Sequence, residues 1–463
     1  MAMMLRWESG KRGFALWGPP PELPPPIPFY HVKGGTAEER GLRLGRLLKD
    51  KIAATIQIYK RTVFQGRSEE SLLAEASSFH SVIHGFKREY CEEMEGIARG
   101  AEVDLRWVYA LNCRTELMNT FPKDIGECST ICFPSNKVKE EEARERKNPI
   151  LAQNWDWMEE MQEHVVVVLL EKEEREGAGK KILMLTEPGI IGKIGVNNHG
   201  LAVTLNFLRH QPTTSPEQQV QVQATPEGGG EEKGEGERSG KGVPIHMLLR
   251  AALECETVAE WEELVVRGMD ASMRGTSSAI LACDALGHAL HLEFAGPHLW
   301  SLPPSPIPLQ PPKQNKKKDT GEGEEAAEKE GKEEKMEEVH WRTNHYLSHE
   351  EVNLSADRLQ SSLARHARMT ELLHELAEGE QAERFCSEET VMRVLRDDGK
   401  EEKEEEEERK LPILRPFVYD PNLGGKMGTV CHVVMHLGGG RPELKVSRGF
   451  AAKVPSFQTF SFE

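Results

Sequence analysis

The sequence has few cysteines, no long apolar run and no excess of basic residues. Eight cysteines in 463 residues are too sparse for a disulfide framework, which favours a reducing compartment. The longest strongly apolar run, Val165–Leu170, has the length of a strand, whereas a membrane-spanning helix needs about 20 apolar residues. Asp and Glu outnumber Lys and Arg by 76 to 59, and neither a basic face nor a zinc-finger spacing is present. These absences argue against a disulfide-stapled, membrane-spanning or nucleic-acid-binding protein.

The two ends of the sequence predict no secretory or peroxisomal targeting. Met1–Trp17 contains scattered charges and no apolar segment of the kind found in secretory signals, and Ser461-Phe462-Glu463 is not the peroxisomal tripeptide. We therefore expect a cytosolic protein. Its length is about three times the roughly 150 residues typical of one domain, which allows one large domain or two ordinary ones.

Four charged segments interrupt the chain and hold most of its net charge of −17: residues 137–147, 212–241, 308–338 and 397–410. They are rich in Glu, Lys and Gly and poor in apolar residues, so they cannot bury enough surface to offset the entropy of ordering. We interpret them as disordered surface insertions. A charged helix or a partner-binding arm is the alternative interpretation.

Hydrophobic periodicity predicts helices and strands in separate groups. Helical spacing occurs at 38–66, 69–100, 243–254, 258–268 and 355–377. Short apolar or β-branched runs bounded by turn residues predict strands at 129–134, 149–157, 164–171, 181–186, 189–196, 200–208, 277–283, 289–294, 428–437 and 443–447. Helices before and between two sets of strands indicate a layered α+β fold.

Cys128 is the residue with the most distinctive local setting. It stands at the predicted start of a strand and after a turn, which favours exposure at the edge of a sheet. One alternative is that Cys128 is a small buried hydrophobic residue. A metal site formed with Cys132 is another alternative, but no second Cys/His pair stands at zinc spacing, so no metal is predicted.

Six sequence blocks occur in an order that resembles a known family. They are Glu95-Gly-Ile-Ala-Arg-Gly-Ala101, Leu111-Asn-Cys-Arg-Thr-Glu116, Gly126-Glu-Cys-Ser-Thr130, Gln153-Asn-Trp-Asp-Trp157, Glu187-Pro-Gly-Ile-Ile-Gly-Lys-Ile-Gly-Val-Asn197 and Thr343-Asn-His345. In this order and spacing they are similar to the isopenicillin N acyltransferase (acyl-CoA:6-aminopenicillanic acid acyltransferase) family of N-terminal-nucleophile (Ntn) hydrolases. The resemblance runs from about residue 41 to the end and is interrupted by the charged segments.

The resemblance implies a four-layer αββα sandwich and a precursor that cuts its own chain between Glu127 and Cys128. Residues 1–127 would then form a helical pro-segment and residues 128–463 the catalytic domain. The freed α-amine of Cys128, with a pKa of about 8, could take the proton of its own thiol, so neither a second base nor a cofactor is needed. The thiolate would attack an amide carbonyl and form an acyl-thioester.

The family's other catalytic roles carry over by position. Asp156 matches the acid that orients the cysteine amine, and a strand-end Asp bonded to a turn is the structural alternative. Asn344 matches the side-chain donor of the oxyanion hole, and an Asn in a turn is its alternative. Ser278 matches a serine used in self-cleavage, although Ser277 could be the equivalent residue and a plain strand serine is the alternative.

Other positions are expected to be structural or depart from the family pattern. Arg114 and Glu116 resemble a buried ion pair of the pro-segment. Glu127 stands where the family usually has Gly, which puts strain-assisted cleavage in question. Lys426 replaces an Arg that could bind a charged substrate, and His345 could also reach the substrate or could face solvent.

The leading functional hypothesis is a cofactor-free amide hydrolase that opens N-acyl or N-aminoacyl conjugates of small amines. A branch of the family hydrolyses β-alanyl-dopamine and carcinine, and this sequence resembles that branch because it lacks the peroxisomal tail and the Arg. An acyl-CoA-dependent amine N-acyltransferase of the same fold is the second hypothesis. An inactive interaction protein, whose charged insertions dock partners, is the third. The expected partners are a small amide substrate and the two chains of one precursor, which should stay together.

Overall fold

Eleven α-helices lie in the part of the chain that the computed structural model describes, namely residues 25–118, 127–134, 148–172, 179–210, 241–310, 335–399, 412–421, 423–449 and 456–463. Seven of them precede the strand that contains Cys128. The helices are α1 (Ala37–Leu47), α2 (Lys49–Arg61), α3 (Glu69–Ser77), α4 (His80–Phe86), α5 (Arg88–Ala101), α6 (Leu105–Asn112), α7 (Arg114–Met118), α8 (Ile245–Glu254), α9 (Val258–Glu262), α10 (Gln360–Leu376) and α11 (Glu388–Leu395).

Sixteen strands form two sheets within the same described residues. They are β1 (Phe29–Lys33), β2 (Glu127–Phe133), β3 (Ile150–Met158), β4 (Val166–Glu171), β5 (Lys181–Thr186), β6 (Ile194–Asn197), β7 (Ala202–Phe207), β8 (Ser277–Cys283), β9 (Ala289–Ala295), β10 (His298–Leu302), β11 (Ser305–Pro308), β12 (Met336–Arg342), β13 (Val418–Asp420), β14 (Gly425–His436), β15 (Glu443–Arg448) and β16 (Gln458–Phe460). The first sheet has the order β1-β4-β5-β6-β7-β8-β9-β10. The second has the order β11-β12-β2-β3-β14-β15-β16, with β13 paired to β14.

The two sheets face each other, and helices cover both outer sides. Strands β2 and β3 of the second sheet contact β7 of the first. Helix α8 packs on β6 and β7, whereas α10 packs on β2, β11 and β12, and α11 packs on β3. One apolar cluster fills the space between the sheets and extends under the N-terminal helices, and a smaller one fills the space between the second sheet and α10 and α11. The αββα layering predicted from the family resemblance is confirmed.

Helices α1 and α5 pack with their backbones in near contact because both carry small residues on the shared face. A Cβ on Gly41 would lie 2.1 Å from the carbonyl oxygen of Glu93, and equally tight positions occur at Gly45, Gly96 and Gly100. Larger side chains at these four positions would force the helices apart.

Most predicted elements are present, and the differences have physical reasons. The predicted strand 277–283 has the observed bounds, and the helix predicted at 355–377 begins at Gln360. The strand predicted at 189–196 is reduced to Ile194–Asn197, because Gly189 adopts a left-handed φ of 98° and the chain turns there. Strand β1 was not expected from the sequence because it depends on parallel pairing with the distant β4.

The charged segments lie mostly outside the described residues, but their edges can be compared with the predicted boundaries. The segment predicted at 308–338 is too long, because Met336 begins β12 and Glu337 is buried opposite Ile307 of β11. Asp397, at the start of another segment, accepts hydrogen bonds from the buried Arg368. In the described residues, each helix is too short or too polar to cross a lipid bilayer.

Candidate functional site

Cys128 lies in the interior of the second sheet. It is the second residue of β2, which runs between β3 and β12, and only 6% of its surface is exposed. The expected exposure at a sheet edge is therefore wrong. The sequence could show where the strand starts but not that strands on both sides, together with Met118 and Phe207, would enclose the thiol.

Asp156 lies opposite the predicted cleavage point. The register of β2 and β3 pairs Glu127 with Asp156 and Cys128 with Trp155. The Asp156 carboxylate is buried, and its Oδ1 accepts a hydrogen bond of 2.7 Å from the Thr429 hydroxyl. Its Oδ2 has no hydrogen-bond partner among the described residues. Burial raises the pKa of Asp156 to about 7, although the positive charge of Arg365 acts to lower it.

Asn344 contacts the backbone nitrogen of Cys128. Its Oδ1 accepts a hydrogen bond of 2.6 Å from the Cys128 N–H, and its Nδ2 donates one of 2.9 Å to the Phe207 carbonyl oxygen. In the uncleaved chain the Asn344 amide is therefore an acceptor toward Cys128. Its Nδ2 carries two N–H groups, of which the Phe207 carbonyl takes one, so the predicted oxyanion role falls to the second.

Arg365 is a member of the site that the sequence analysis missed. It lies on α10, is fully buried and donates hydrogen bonds to the Cys128 carbonyl oxygen, the Ser129 hydroxyl and Asn344 Oδ1. The available signal was an arginine on the apolar face of a predicted helix, at helical spacing from Met369 and Leu372. An arginine on such a face needs buried acceptors, and here they belong to Cys128, Ser129 and Asn344.

The Cys128 thiol is a weak nucleophile in the uncleaved chain. Burial, followed by the negative charge of Asp156, raises the pKa of the thiol to about 12. A hydrogen bond from the Asp156 backbone and the positive charges of Lys193 and Arg365 act in the opposite direction. At neutral pH almost all of the sulfur is therefore protonated, and the thiol must give up its proton in the course of any attack.

A narrow cavity of about 30 Å³ lies beside the sulfur. Its lining combines aromatic and aliphatic side chains with two cations: Arg114, Thr115, Met118, Cys128, Trp155, Asp156, Trp157, Lys193, Ile194, Leu205 and Phe207. The Lys193 ammonium lies 3.6 Å from the centre of the Trp155 ring, a cation–π distance. A cavity of this size holds about one water molecule, so its lining shows the chemical character of the walls beside the sulfur.

The two cations share one carboxylate, Glu187. Arg114 donates to it over 2.9 Å, and Lys193 and Tyr59 also donate to it. Burial acts to raise the pKa of Glu187, but Arg114 and Lys193 outweigh it and lower the pKa to about 2. Burial lowers the pKa of Lys193 to about 7 despite Glu187. One carboxylate balances only one of the two cations, and lysine is the one that can lose its proton.

The expected ion pair between Arg114 and Glu116 is wrong, because Arg114 binds Glu187 instead. Glu116 is also buried, and its Oε1 accepts a hydrogen bond of 2.8 Å from the backbone N–H of Ile245, at the start of α8. Burial raises the pKa of Glu116 to about 7. Side chains two residues apart on a helix point in different directions, which explains the separate partners.

The remaining predicted site residues lie outside the cavity. Ser278 is opposite Phe207 on neighbouring strands, and its hydroxyl donates a hydrogen bond to the Ser277 carbonyl oxygen. His345 does not face solvent but is buried against the Ser362 hydroxyl at 2.9 Å. Lys426 is half-exposed and pairs with Glu159 at 3.2 Å. In the residues that the structure describes, three or more His, Cys, Asp or Glu side chains nowhere converge as a metal would require.

Comparison with known families and with known sequences finds relatives in both. The model of the family described as acyl-coenzyme A:6-aminopenicillanic acid acyl-transferase matches residues 143–216 and 234–407, more than half of the chain. The chain is also 28% identical over 268 residues to the acyl-coenzyme A:6-aminopenicillanic-acid-acyltransferase 40 kDa form of Emericella nidulans. That alignment covers 56% of this chain and 62% of the relative, so the chain spans less than two thirds of the relative's length.

Solved structures align with the chain at low similarity. Penicillin V acylase from Agrobacterium tumefaciens aligns with a TM-score of 0.34 and 10% identity, covering 72% of this chain and 86% of that one. The C2A mutant of conjugated bile acid hydrolase from Clostridium perfringens aligns with a TM-score of 0.32 and 9% identity, covering 72% and 96%.

Proposed function

Because the chain belongs to the acyl-coenzyme A:6-aminopenicillanic acid acyl-transferase family, we propose that it is a self-processing amide hydrolase with Cys128 as its N-terminal nucleophile. The observation that carries the proposal is the convergence of Cys128, Asp156 and Asn344 around the Glu127–Cys128 peptide bond. These residues are far apart in the sequence and come from two strands and a turn. Their meeting at one bond is the arrangement that self-cleavage needs.

Asp156 supports the cleaved state as the functional one. Its buried Oδ2 lacks a hydrogen-bond partner in the described part of the uncleaved chain, and burying a carboxylate without partners is costly. Cleavage would create an α-ammonium group on Cys128, beside the strand position of Asp156. The new cation would satisfy this oxygen and stabilise the ionised carboxylate.

Self-cleavage proceeds through an acyl shift. The Cys128 sulfur attacks the Glu127 carbonyl carbon, and the peptide C–N bond breaks as the thiol proton passes to the Cys128 nitrogen. Water then hydrolyses the thioester, which gives the Glu127 carboxylate and restores the thiol. The products are two chains, 1–127 and 128–463.

The mature enzyme acts on an external amide in the same way. The free α-amine, held by Asn344 Oδ1 and Asp156, takes the thiol proton, and the thiolate attacks the substrate carbonyl. The α-ammonium group then passes that proton to the departing amine, and water hydrolyses the acyl-thioester to release the acid. We propose N-acyl or N-aminoacyl conjugates of small amines, such as β-alanyl amides, as substrates, because Trp155, Trp157 and Phe207 offer flat apolar walls beside the sulfur.

Acyl transfer from acyl-CoA to an amine is the second candidate. The named activity of the Emericella nidulans relative favours it, and the same acyl-enzyme would serve both reactions. The two differ only in whether water or an amine reaches the thioester. A cytosolic location remains a prediction from the sequence.

The decisive experiment is the intact mass of the wild type and of Cys128→Ala under denaturing conditions. In proportion to their 127 and 336 residues of 52.1 kDa, the wild type should give chains of about 14 and 38 kDa. Cys128→Ala should stay whole. Cys132→Ala is the matched control, because Cys132 is a buried cysteine four residues further along β2 on the same face, and this variant should still cleave.

Activity assays on the processed protein separate the candidate functions. Release of free amine from an N-β-alanyl or N-acyl amine without acyl-CoA supports the hydrolase, whereas amide formation only with acyl-CoA supports the transferase. If the wild type stays whole and neither reaction occurs, the interaction-protein hypothesis replaces both.

A further inference from the structure

One guanidinium group connects the nucleophile to its predicted catalytic partner. Arg365 Nη1 donates hydrogen bonds to the Cys128 carbonyl oxygen over 3.0 Å and to the Ser129 hydroxyl over 2.8 Å. Its Nη2 donates to Asn344 Oδ1 over 3.1 Å. The side chain is fully buried, so these contacts form without competition from water.

The contact with Asn344 determines which way its amide points. Two donors, Arg365 Nη2 and the Cys128 N–H, converge on Oδ1, while Nδ2 donates to the Phe207 carbonyl oxygen. A flipped amide would place its NH₂ group against both donors and its oxygen against a carbonyl. Arg365 therefore holds the Asn344 oxygen toward the nitrogen that becomes the catalytic amine.

The charge of Arg365 acts on the same atoms. The guanidinium lies close enough to Cys128 and Asp156 to lower the pKa values of both groups, which favours the thiolate and the carboxylate. A permanently charged arginine can do this at every working pH, because it does not lose its proton.

We infer that Arg365 is a positioning residue that aligns the Cys128 main chain with the Asn344 amide and favours the thiolate during self-cleavage and turnover. This inference rests on the proposed function. Arg365 acts through Cys128 and Asn344 rather than by contact with substrate, so its effect should appear in cleavage rate and in kcat more than in KM.

Arg368, one turn further along α10, provides a matched control. It is also largely buried, but its guanidinium binds Asp397 at 3.0 Å and Glu371 at 2.8 Å. The test compares Arg365→Gln and Arg365→Lys with Arg368→Gln and Arg368→Lys in the full-length chain. The readouts are the rate of self-cleavage by intact mass and the kcat and KM for amide hydrolysis.

Arg365→Gln should slow cleavage and lower kcat by at least about tenfold, the effect of losing charge-assisted hydrogen bonds at a buried site. Arg365→Lys keeps the charge, but a single ammonium cannot reach all three acceptors, so it should recover part of the rate. Both Arg368 variants should cleave like the wild type. If Arg365→Gln does not fold, slower cleavage by Arg365→Lys than by Arg368→Lys decides the question.

The pH profile separates electrostatics from simple support of the fold. Four charged groups and one counter-ion surround mature Cys128: Arg365 from α10, Asp156 from β3, Arg114 from α7, and Lys193 from the segment before β6, the last two sharing Glu187. A positive neighbour lowers the pKa of an ammonium group, so losing Arg365 raises it. The acid limb of the kcat profile should therefore move to higher pH in Arg365→Gln and stay in place in Arg365→Lys.

Two results would overturn the inference about Arg365, and each can be told apart from a failure of the proposed hydrolase function. If the wild type cleaves and hydrolyses amides while Arg365→Gln matches Arg368→Gln, Arg365 is structural. If the wild type does not cleave, the proposed function fails. The effect of Arg365 on the Cys128 thiol can still be measured then, as the rate at which iodoacetamide alkylates Cys128, followed by peptide mass. Arg365→Gln should then slow alkylation at fixed pH relative to Arg368→Gln, and equal rates would contradict the inference.

Discussion

The backbone N–H of Cys128 donates a 2.6 Å hydrogen bond to Oδ1 of Asn344, 216 residues further along the chain. This bond joins the first residue of the predicted mature chain to the turn after β12. The side-chain nitrogen of Asn344 donates one of its two N–H groups to the Phe207 carbonyl oxygen. Holding the amine and donating to an oxyanion are therefore separable tasks, and substitutions can distinguish them.

Substitution of Asn344 should separate the two tasks. Asn344→Asp keeps an oxygen opposite the Cys128 nitrogen, so we expect cleavage within about threefold of wild type, whereas Asn344→Ala should slow it about tenfold. Asn344→Asp also removes the side-chain N–H donor, so kcat of the mature enzyme should fall by about 100-fold. Timed intact masses and amine release measure the two effects. A fully active mature Asn344→Asp would exclude Asn344 from the oxyanion hole.

Asp156 should make the uncleaved chain less stable as pH rises. Its pKa of about 7 exceeds the unfolded value of about 3.9, so between these values the folded state holds a proton that the unfolded state has lost. Stability is therefore fully present below pH 3.9 and falls as pH rises toward 7, by on the order of 4 kcal/mol from this group alone.

The measurement uses a chain that cannot cleave. The Tm of Cys128→Ala, relative to that of Cys128→Ala/Asp156→Asn, should fall between pH 5 and pH 7.5, because Asn cannot ionise. Other titrating groups, including Glu116 and Lys193, are common to both variants and cancel in the comparison. Parallel Tm curves would mean that Asp156 is already ionised in the folded precursor.

The motif-bearing part of the site was predictable because its residues lie in short, ordered sequence blocks. Cys128, Asp156 and Asn344 were identified in this way, and the structure brings them together. Arg365 stands in no such block, and its contact with Cys128 spans 237 positions, so only tertiary packing reveals it. Arg114 was placed with a sequence neighbour, whereas its partner is the distant Glu187.

The fold was predictable to a similar extent. Strands such as β4 and β8 were predicted because their own apolar or β-branched side chains indicate a strand. Strands β1 and β11 were missed because their pairing partners, not their own composition, make them strands. The burial of Cys128 was only the alternative interpretation for the same reason, since neighbouring strands and helices provide it.

Lys193 should assist Cys128 most strongly below neutral pH. Burial lowers its pKa to about 7, so the ammonium form, which favours the thiolate, is populated below that value and lost above it. Lys193→Met should lower kcat/KM of the mature enzyme by about tenfold at pH 6 and much less at pH 8.5. Lys172→Met is the control, since Lys172 is a mostly buried lysine that pairs with Glu254 instead. Equal losses at both pH values would exclude an electrostatic role for Lys193.

The two chains should stay together after cleavage because buried charges join them. Arg250 of the catalytic domain binds Glu93 of the pro-segment through two hydrogen bonds of 2.9 and 2.8 Å, and both residues are buried. Glu93→Ala leaves Arg250 without this partner, which should cost about 3–5 kcal/mol, seen as a lower Tm and as chains that separate in mild denaturant. Glu38→Ala removes only the exposed pair with Arg99 and should change Tm little. Wild-type chains that part on gel filtration in native buffer would show that this interface does not hold the processed enzyme together.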